Sequence, residues 1–144
     1  MELWRSRFGI PSEAFEGYAF HLRGNNVWIS GSAELPDLRY ETIGVRFMST
    51  KGRVWKPTTS ALQLFGGRAT KNAIDLDPDQ ARVFLAGESQ NLDADLENGY
   101  VVVSYRGMVL GCGLYSRGEL VSQLPKERRI MSDKIENESF KGDR

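Results

Sequence analysis

The sequence predicts an α+β domain that is mainly β, with a few short helices. Three short strands joined by glycine turns follow Gly99, and alternating apolar and polar residues mark a hairpin over residues 17–30. Meanders of short strands linked by tight turns are typical of small barrels. A chain of 144 residues has room for one domain core. We therefore expect a small barrel with a few helices around it.

The N-terminal part is predicted to be a helix followed by the hairpin. Leu3 to Phe15 fits a helix in which Pro11 starts a second short turn. The hairpin turns at Gly24-Asn25-Asn26. We assign residues 1–38 to this extension and leave open whether it packs into the same domain as the barrel core, residues 39–130. The polar residues 131–144 are predicted to be a mobile tail.

The middle of the chain is predicted to contain two strands. Residues 43–48 alternate in polarity, and residues 54–55 read as a short extended piece that Pro57 ends.

Two helices are predicted between residues 58 and 87. Thr58 or Thr59 can cap the first, and residues 66–67, two glycines, would close it in the left-handed conformation. Residues 77–80, Asp-Pro-Asp-Gln, form a capping box that begins the second helix, which Gly87 ends.

The segment 99–124 is predicted to be entirely β. Strands over 100–105 and 108–115 meet at a tight turn, and a third strand covers 120–124. Gly111-Cys112-Gly113 lacks the third glycine and the following helix of a phosphate-binding loop. We interpret its glycines as marking the close approach of another backbone or a bulge.

Few side chains in this chain can carry catalysis. Cys112 is the only cysteine and His21 the only histidine, which excludes an internal disulfide and a paired-histidine or thiolate metal site within one chain. His21 is the only conceivable histidine base, and nothing in the sequence places it near Cys112, which we interpret as a small core residue. We expect no enzyme activity, no catalytic residue, no metal and no cofactor.

Apolar runs in the sequence are short. None approaches the ~20 residues that a membrane helix needs, and the first residues lack the pattern of a signal peptide. We therefore expect a cytoplasmic protein with no membrane partner.

Charge is balanced overall but is distributed unevenly. Residues 39–72 contain seven cations and one carboxylate, and residues 100–129 contain five cations and two carboxylates. Between them, residues 73–99 contain one cation and seven carboxylates. If the two basic segments share one face, that face can attract phosphates. If the segments interleave in space, the charges cancel, and the sequence leaves both possibilities open.

The candidate RNA contacts lie in the two basic segments. Trp55 among its cations can stack an unpaired base, although burial as a core plug is an equal alternative. The three cations within residues 126–129 are either a phosphate clamp or a solvated terminus. The candidate set is Arg46, Lys51, Arg53, Trp55, Lys56 and Lys71 in the first segment and Arg106, Lys126, Arg128 and Arg129 in the second.

Several stretches resemble the PUA-like RNA-binding domain attached to RNA cytosine-C5 methyltransferases of the Sun family, including bacterial rRNA methyltransferase F. They are Tyr100-Val101-Val102-Val103, Gly107 to Gly113, Gly118-Glu119-Leu120 and Pro125 to Arg129. Two further stretches resemble archaeal versions, namely Arg7 to Ile10 and Lys56 to Gly66. The resemblance implies a compact PUA-like pseudo-barrel that positions structured RNA, tRNA or rRNA, for modification.

The catalytic part of that family has no counterpart in this sequence. There is no Pro-Cys pair, and 144 residues leave no space for a cofactor domain. We therefore expect a stand-alone accessory module of archaeal type, whose partner would be a separate RNA methyltransferase chain. The alternative is a protein–protein interaction subunit that docks an RNA-modifying enzyme through the acidic segment 75–97.

Overall fold

The chain folds into two sheets and three short helices within residues 2–30, 45–52 and 54–129, the parts that the computed structural model describes. The elements follow in the order α1 (Glu2–Phe8), a 3-10 helix (Ser12–Phe15), β1 (Ala19–Arg23), β2 (Asn26–Ser30), β3 (Val45–Ser49), β4 (Lys56–Pro57), α2 (Thr59–Phe65), a 3-10 helix (Gly66–Arg68), β5 (Ala73–Leu76), α3 (Pro78–Leu85), β6 (Gln90–Asn91), β7 (Gly99–Tyr105), β8 (Met108–Ser116), β9 (Glu119–Ser122) and a 3-10 helix (Lys126–Arg128). The predicted class, α+β with mostly strands, is confirmed.

The first sheet is antiparallel and has the order β1-β2-β3-β4. Phe20 on β1 pairs with Ile29 on β2, and this face of the sheet packs on the core. A bulge opposite Val27 and Trp28 places two successive residues of β3, Phe47 and Met48, in the same core. An extra residue in one strand makes this possible because it breaks the strict alternation of faces.

The second sheet has the order β5-β7-β8-β9-β6 and curls into a half-barrel. Strand β5 runs parallel to β7, and the other pairs are antiparallel. Val102 belongs to the core shared with the first sheet, whereas Val101 and Val103 belong to a second core under α3. Strand β7 is therefore buried on both faces, as its continuous apolar run requires.

Helix α1 and the first hairpin share their core with the second sheet. Trp4 and Phe8 are fully buried in one cluster with Val102 and Cys112. The described part of the N-terminal extension thus packs against the half-barrel rather than standing apart. The predicted boundary between residues 38 and 39 and the predicted tail 131–144 fall outside the described residues, so they stay predictions.

Both predicted helix starts are confirmed. The Ala61 amide donates to Thr58 Oγ1 at 3.1 Å, so Thr58 is the cap of α2. At α3 the Gln80 amide donates to Asp77 Oδ1 at 2.8 Å, and the Asp77 amide donates to Gln80 Oε1 at 3.0 Å. This reciprocal pair is the capping box that the sequence indicates. Gly87 ends α3 with a φ of 84°, as predicted.

Three local expectations were wrong. Gly66 has a right-handed φ of −65° and continues into a 3-10 helix, because its role is contact: a Cβ there would lie 3.0 Å from Val102 Cγ1. The short strand lies at Lys56–Pro57 rather than at residues 54–55; Pro57 ends it as predicted, in an edge strand that pairs only with β3, where a missing amide donor is tolerated. The last strand ends at Ser122 rather than at Leu124.

The glycines of β8 are required for close packing, as the sequence suggested. A Cβ on Gly113 would lie 2.7 Å from Leu120 Cδ1 and 3.0 Å from Val103 Cγ2, both in the second core. We expect Gly113→Ala to lower the free energy of unfolding by about 1–3 kcal/mol, since overpacking a closed core forces side chains off their rotamers. Chemical denaturation measures this loss.

The matched control for this prediction is Gly67→Ala. Gly67 is exposed, and a Cβ there would meet nothing within 4 Å. Equal stability of the two alanine variants would contradict the packing role of Gly113.

Candidate nucleic-acid interface

A cleft of about 960 Å³ lies where the outer face of the first sheet meets the chain that follows β9. Strands β2, β3 and β4 form one wall, the start of α2 lies beside them, and the segment from β9 to Arg129 forms the opposite wall. The cleft draws on both sheets, so only the folded chain assembles it.

Both basic segments of the sequence contribute to this cleft. Five of the ten predicted contact residues line it, and Glu127 is the one carboxylate among the described lining residues. Within the described parts of the chain, ion pairs join only Arg5 to Glu2 and Arg82 to Asp79, so the cleft cations have none there. The five lining cations are Arg46, Lys56, Lys126, Arg128 and Arg129.

Lys56 lies at the edge of the cleft on β4. Its Nζ donates to Gln123 Oε1 at 2.8 Å and lies 6.0 Å from the centre of the Tyr100 ring. A hydrogen bond and a ring face hold the ammonium group in place without neutralising its charge.

Two neighbouring arginines are anchored on opposite sides of the cleft. Arg128 reaches α2, where Nη1 donates to Gln63 Oε1 at 3.0 Å and Nη2 donates to Ser60 Oγ at 2.8 Å. Arg129 donates through Nε to the Leu124 carbonyl at 2.9 Å. Neither anchor is charged, so both guanidinium groups keep their full positive charge, and each keeps hydrogens on its terminal nitrogens for a phosphate.

Gly87 allows Arg129 to take this position. A Cβ on Gly87 would overlap Arg129 Cδ and lie 2.6 Å from its Nε, so any side chain there would displace the arginine. The glycine that ends α3 therefore also makes room for a cation of the cleft.

The other predicted contact residues lie away from the cleft. Lys51 and Trp55 are exposed in the loop between β3 and β4, Lys71 is exposed before β5, and Arg106 lies at the β7–β8 turn. Trp55 is 47% exposed, which contradicts its alternative interpretation as a core plug. Arg53 lies outside the described residues.

Trp28, an aromatic residue outside the predicted contact set, also lines the cleft. It lies on β2, half-buried, directly opposite Arg46 on one side and His21 on the other. The Arg23 guanidinium carbon lies 5.8 Å from the centre of the indole. Strict alternation could have found it, because Val27 and Ile29 face inward and Trp28 between them must face outward.

Cys112 has no catalytic environment. It is 1% exposed, and burial raises the pKa of its thiol to about 12, against the opposing effect of the positive charge of Lys56. His21 lies on a different sheet, with Nε2 3.4 Å from Ser30 Oγ. The thiol therefore stays protonated and inert near neutral pH.

Several carboxylates of the acidic segment 75–97 accept hydrogen bonds within the fold. Asp75 Oδ1 accepts from the Gly107 amide at 3.0 Å, and Asp77 caps α3. Glu97 Oε1 accepts from Asn72 Nδ2 at 3.0 Å. This hydrogen bond, helped by the positive charge of Arg7, lowers the pKa of Glu97 below its usual value.

Residues 2–30, 45–52 and 54–129 contain neither a cluster of metal ligands nor a membrane-spanning helix. No group of three or more His, Cys, Asp or Glu side chains is arranged there to hold a metal ion. No helix there is long and apolar enough to cross a membrane.

Residues 71–130 match the family model described as the methyltransferase RsmF PUA domain. This range contains the five-stranded half-barrel, α3 and the 3-10 helix with Lys126 and Arg128. The half-barrel is therefore similar to the PUA domain of methyltransferase RsmF, which confirms the predicted resemblance to Sun-family PUA domains.

The chain is also similar to three proteins named ribosomal RNA small subunit methyltransferase F. It is 28% identical over 90 residues to that of Aeromonas salmonicida, which covers 62% of this chain and 19% of the relative. It is 26% identical over 134 residues to that of Psychromonas ingrahamii, which covers 88% of this chain and 27% of the relative. It is 26% identical over 139 residues to that of Shewanella piezotolerans, which covers 94% of this chain and 28% of the relative. The chain thus spans about a fifth to just over a quarter of the length of these relatives.

Proposed function

We propose that this chain is a cytoplasmic RNA-binding module that serves rRNA modification, and that the cleft is the surface that contacts RNA. The observation that carries the proposal is the set of five cations around one cleft in a chain with no net charge. The PUA match and the rRNA methyltransferase relatives support the class of ligand. The cations of the two basic segments could have been offset by the acidic segment, but Glu127 is the one carboxylate among the described residues that line the cleft.

The chemistry of the cleft suits phosphate better than a carboxylate-bearing small molecule. Arginine guanidinium groups bind phosphate oxygens through two parallel hydrogen bonds, and lysine adds a point charge. Successive phosphates along an RNA backbone would meet successive cations along the two walls. Such contacts position the RNA without reading its sequence.

We propose further that this chain binds rather than catalyses. The matched part is the PUA domain, and the relatives have most of their length elsewhere. The one cysteine is buried with a raised pKa. Methyl transfer would then belong to a separate methyltransferase chain that the RNA-bound module assists.

The alternative, docking of a modification enzyme on segment 75–97, has less in its favour. Asp75, Asp77 and Glu97 already accept hydrogen bonds within the fold. A partner that this chain captures equally well after nuclease treatment would favour the alternative over RNA binding.

The proposal is tested by fluorescence anisotropy with labelled small-subunit rRNA fragments and with tRNA, over a range of salt. Five phosphate contacts would give a slope of log affinity against log salt of about −3.5 to −4.5. The rRNA fragments should bind more tightly than tRNA. Tighter binding of tRNA would instead indicate that tRNA is the ligand. Absence of binding to either RNA at micromolar protein and low salt would refute the RNA-binding function.

A further inference from the structure

We propose that the cleft holds an unpaired nucleotide whose base stacks on Trp28 while its phosphates contact the cleft cations. This inference rests on the proposed RNA-binding function and names the form of RNA that the cleft takes. Trp28 lies on the outer face of the first sheet and lines the cleft. No sequence motif marks it, and the family model begins more than forty residues later.

The indole of Trp28 is separate from the aromatic core. Trp4, Phe15, Phe47 and Phe65 make many ring contacts with one another, whereas the one ring contact of Trp28 within the described residues is with the Arg23 guanidinium. Half-buried tryptophan on the polar face of a sheet leaves apolar ring surface beside water. A flat base of an unpaired nucleotide covers such a surface well, and every base can do so because each has a π face.

Cations are placed where the phosphates of a stacked nucleotide would lie. Arg46 is the direct cross-strand partner of Trp28, so the two side chains leave the sheet side by side on the same face. Arg129 and Lys56 line the same cleft. A base on the indole would therefore have positive charge on both sides of its sugar–phosphate backbone.

The remaining lining supplies hydrogen-bonding groups for a base edge. Gln123 Oε1 accepts a hydrogen bond from the Lys56 ammonium group. Because an ammonium group can only donate, the amide oxygen must face Lys56, and Gln123 Nε2 is left as the donor for a base edge. Ser49 and Ser60 add hydroxyl groups along the walls. Base edges are available to such groups when the base is not paired.

A paired base cannot use this arrangement. In an RNA duplex both faces of each base are covered by its neighbours, so stacking on a protein ring requires an unstacked nucleotide in a loop, bulge or end. The cleft volume of about 960 Å³ lies within the range for small-molecule sites, roughly 300–1,000 Å³, so the cleft has room for a nucleotide.

The test uses tryptophan fluorescence with an oligouridylate of about ten nucleotides as unpaired RNA. The chain has three tryptophans, of which Trp4 is buried and Trp55 lies outside the cleft. Trp55→Phe is thus the matched control for Trp28→Phe. We expect the oligonucleotide to quench the fluorescence of the Trp55→Phe variant and to leave that of the Trp28→Phe variant nearly unchanged.

A second measurement compares RNA forms by anisotropy. Trp28→Ala should weaken binding of the oligouridylate and of a duplex with a bulge by roughly 5- to 150-fold, the range for loss of one stacked base. The same variant should bind a fully paired, blunt-ended duplex as the unchanged protein does.

The outcomes separate this inference from the proposed function. Equal quenching in both phenylalanine variants, or equal losses for the bulged and the fully paired duplex, would overturn the role of Trp28 and leave RNA binding in place. No binding of any RNA by the unchanged protein would overturn the proposed function itself. Because Trp28 is outside the core clusters, thermal melting should show that both variants stay folded.

Discussion

Reversing the charges of Arg128 and Arg129 is expected to weaken rRNA binding about 100-fold. Each substitution to Glu removes a charge-assisted hydrogen bond to phosphate, which contributes at least about 1.5 kcal/mol to the binding free energy. Each also places a negative charge beside the RNA. The salt slope should become shallower by about 1.4–1.8, since two counterion-releasing contacts are lost. Anisotropy titrations at several salt concentrations measure both quantities.

The matched control is the double variant Lys51→Glu and Lys71→Glu. It changes net charge by the same amount, and both lysines are exposed outside the cleft. If both double variants lose affinity equally, RNA responds to the total charge of the protein and the cleft has no special role. Thermal melting should confirm that loss of the Arg128 contacts with Gln63 and Ser60 leaves the fold intact.

Replacing Trp4 by Ala is expected to lower the free energy of unfolding by about 3–5 kcal/mol, the usual cost of removing a buried large aromatic side chain. Trp4 is 0% exposed and stacks on Phe47 with ring centres 4.5 Å apart. It also makes edge contacts with Phe8, Phe15 and Phe65. Denaturant titration measures the loss.

Two further variants show what that loss means. Trp55→Ala should change stability by no more than about 0.5 kcal/mol, because its ring is half exposed in a loop. Trp4→Phe should cost less than Trp4→Ala, since it keeps an aromatic ring and removes an indole Nε1 that has no hydrogen-bond partner among the described residues. If Trp4→Ala were as mild as Trp55→Ala, α1 would not belong to the cooperative unit of the fold.

Local signals in the sequence predicted local structure well. The capping box at Asp77 and Gln80 depends on four adjacent residues, so no distant contact could overrule it. The glycines of β8 were interpreted correctly for a similar reason, since a glycine inside an apolar strand has few other uses. Gly66 was misjudged because its role is set by Val102, a residue far along the chain.

The candidate site was harder to predict because it is a property of the tertiary fold. The charge distribution along the sequence identified two basic segments. Lys56 and Arg129 reach one cleft only because β4 and α2 pack beside β9 in the folded chain. Trp55 attracted attention because cations flank it in the sequence. Trp28 has no such neighbours, and its cations, Arg23 and Arg46, come from the strands on either side.

The crowding of cations in the cleft has a consequence for the free protein. Arg46, Lys56, Lys126, Arg128 and Arg129 repel one another across a space comparable to the Debye length, ~10 Å at 0.1 M salt. Added salt relaxes that repulsion and should make the unliganded fold more stable, while it weakens the attraction to a polyanion. Added salt should therefore raise the stability of the free protein and lower its affinity for RNA. A bound polyanion reduces the repulsion between the cleft cations in the same way as salt does.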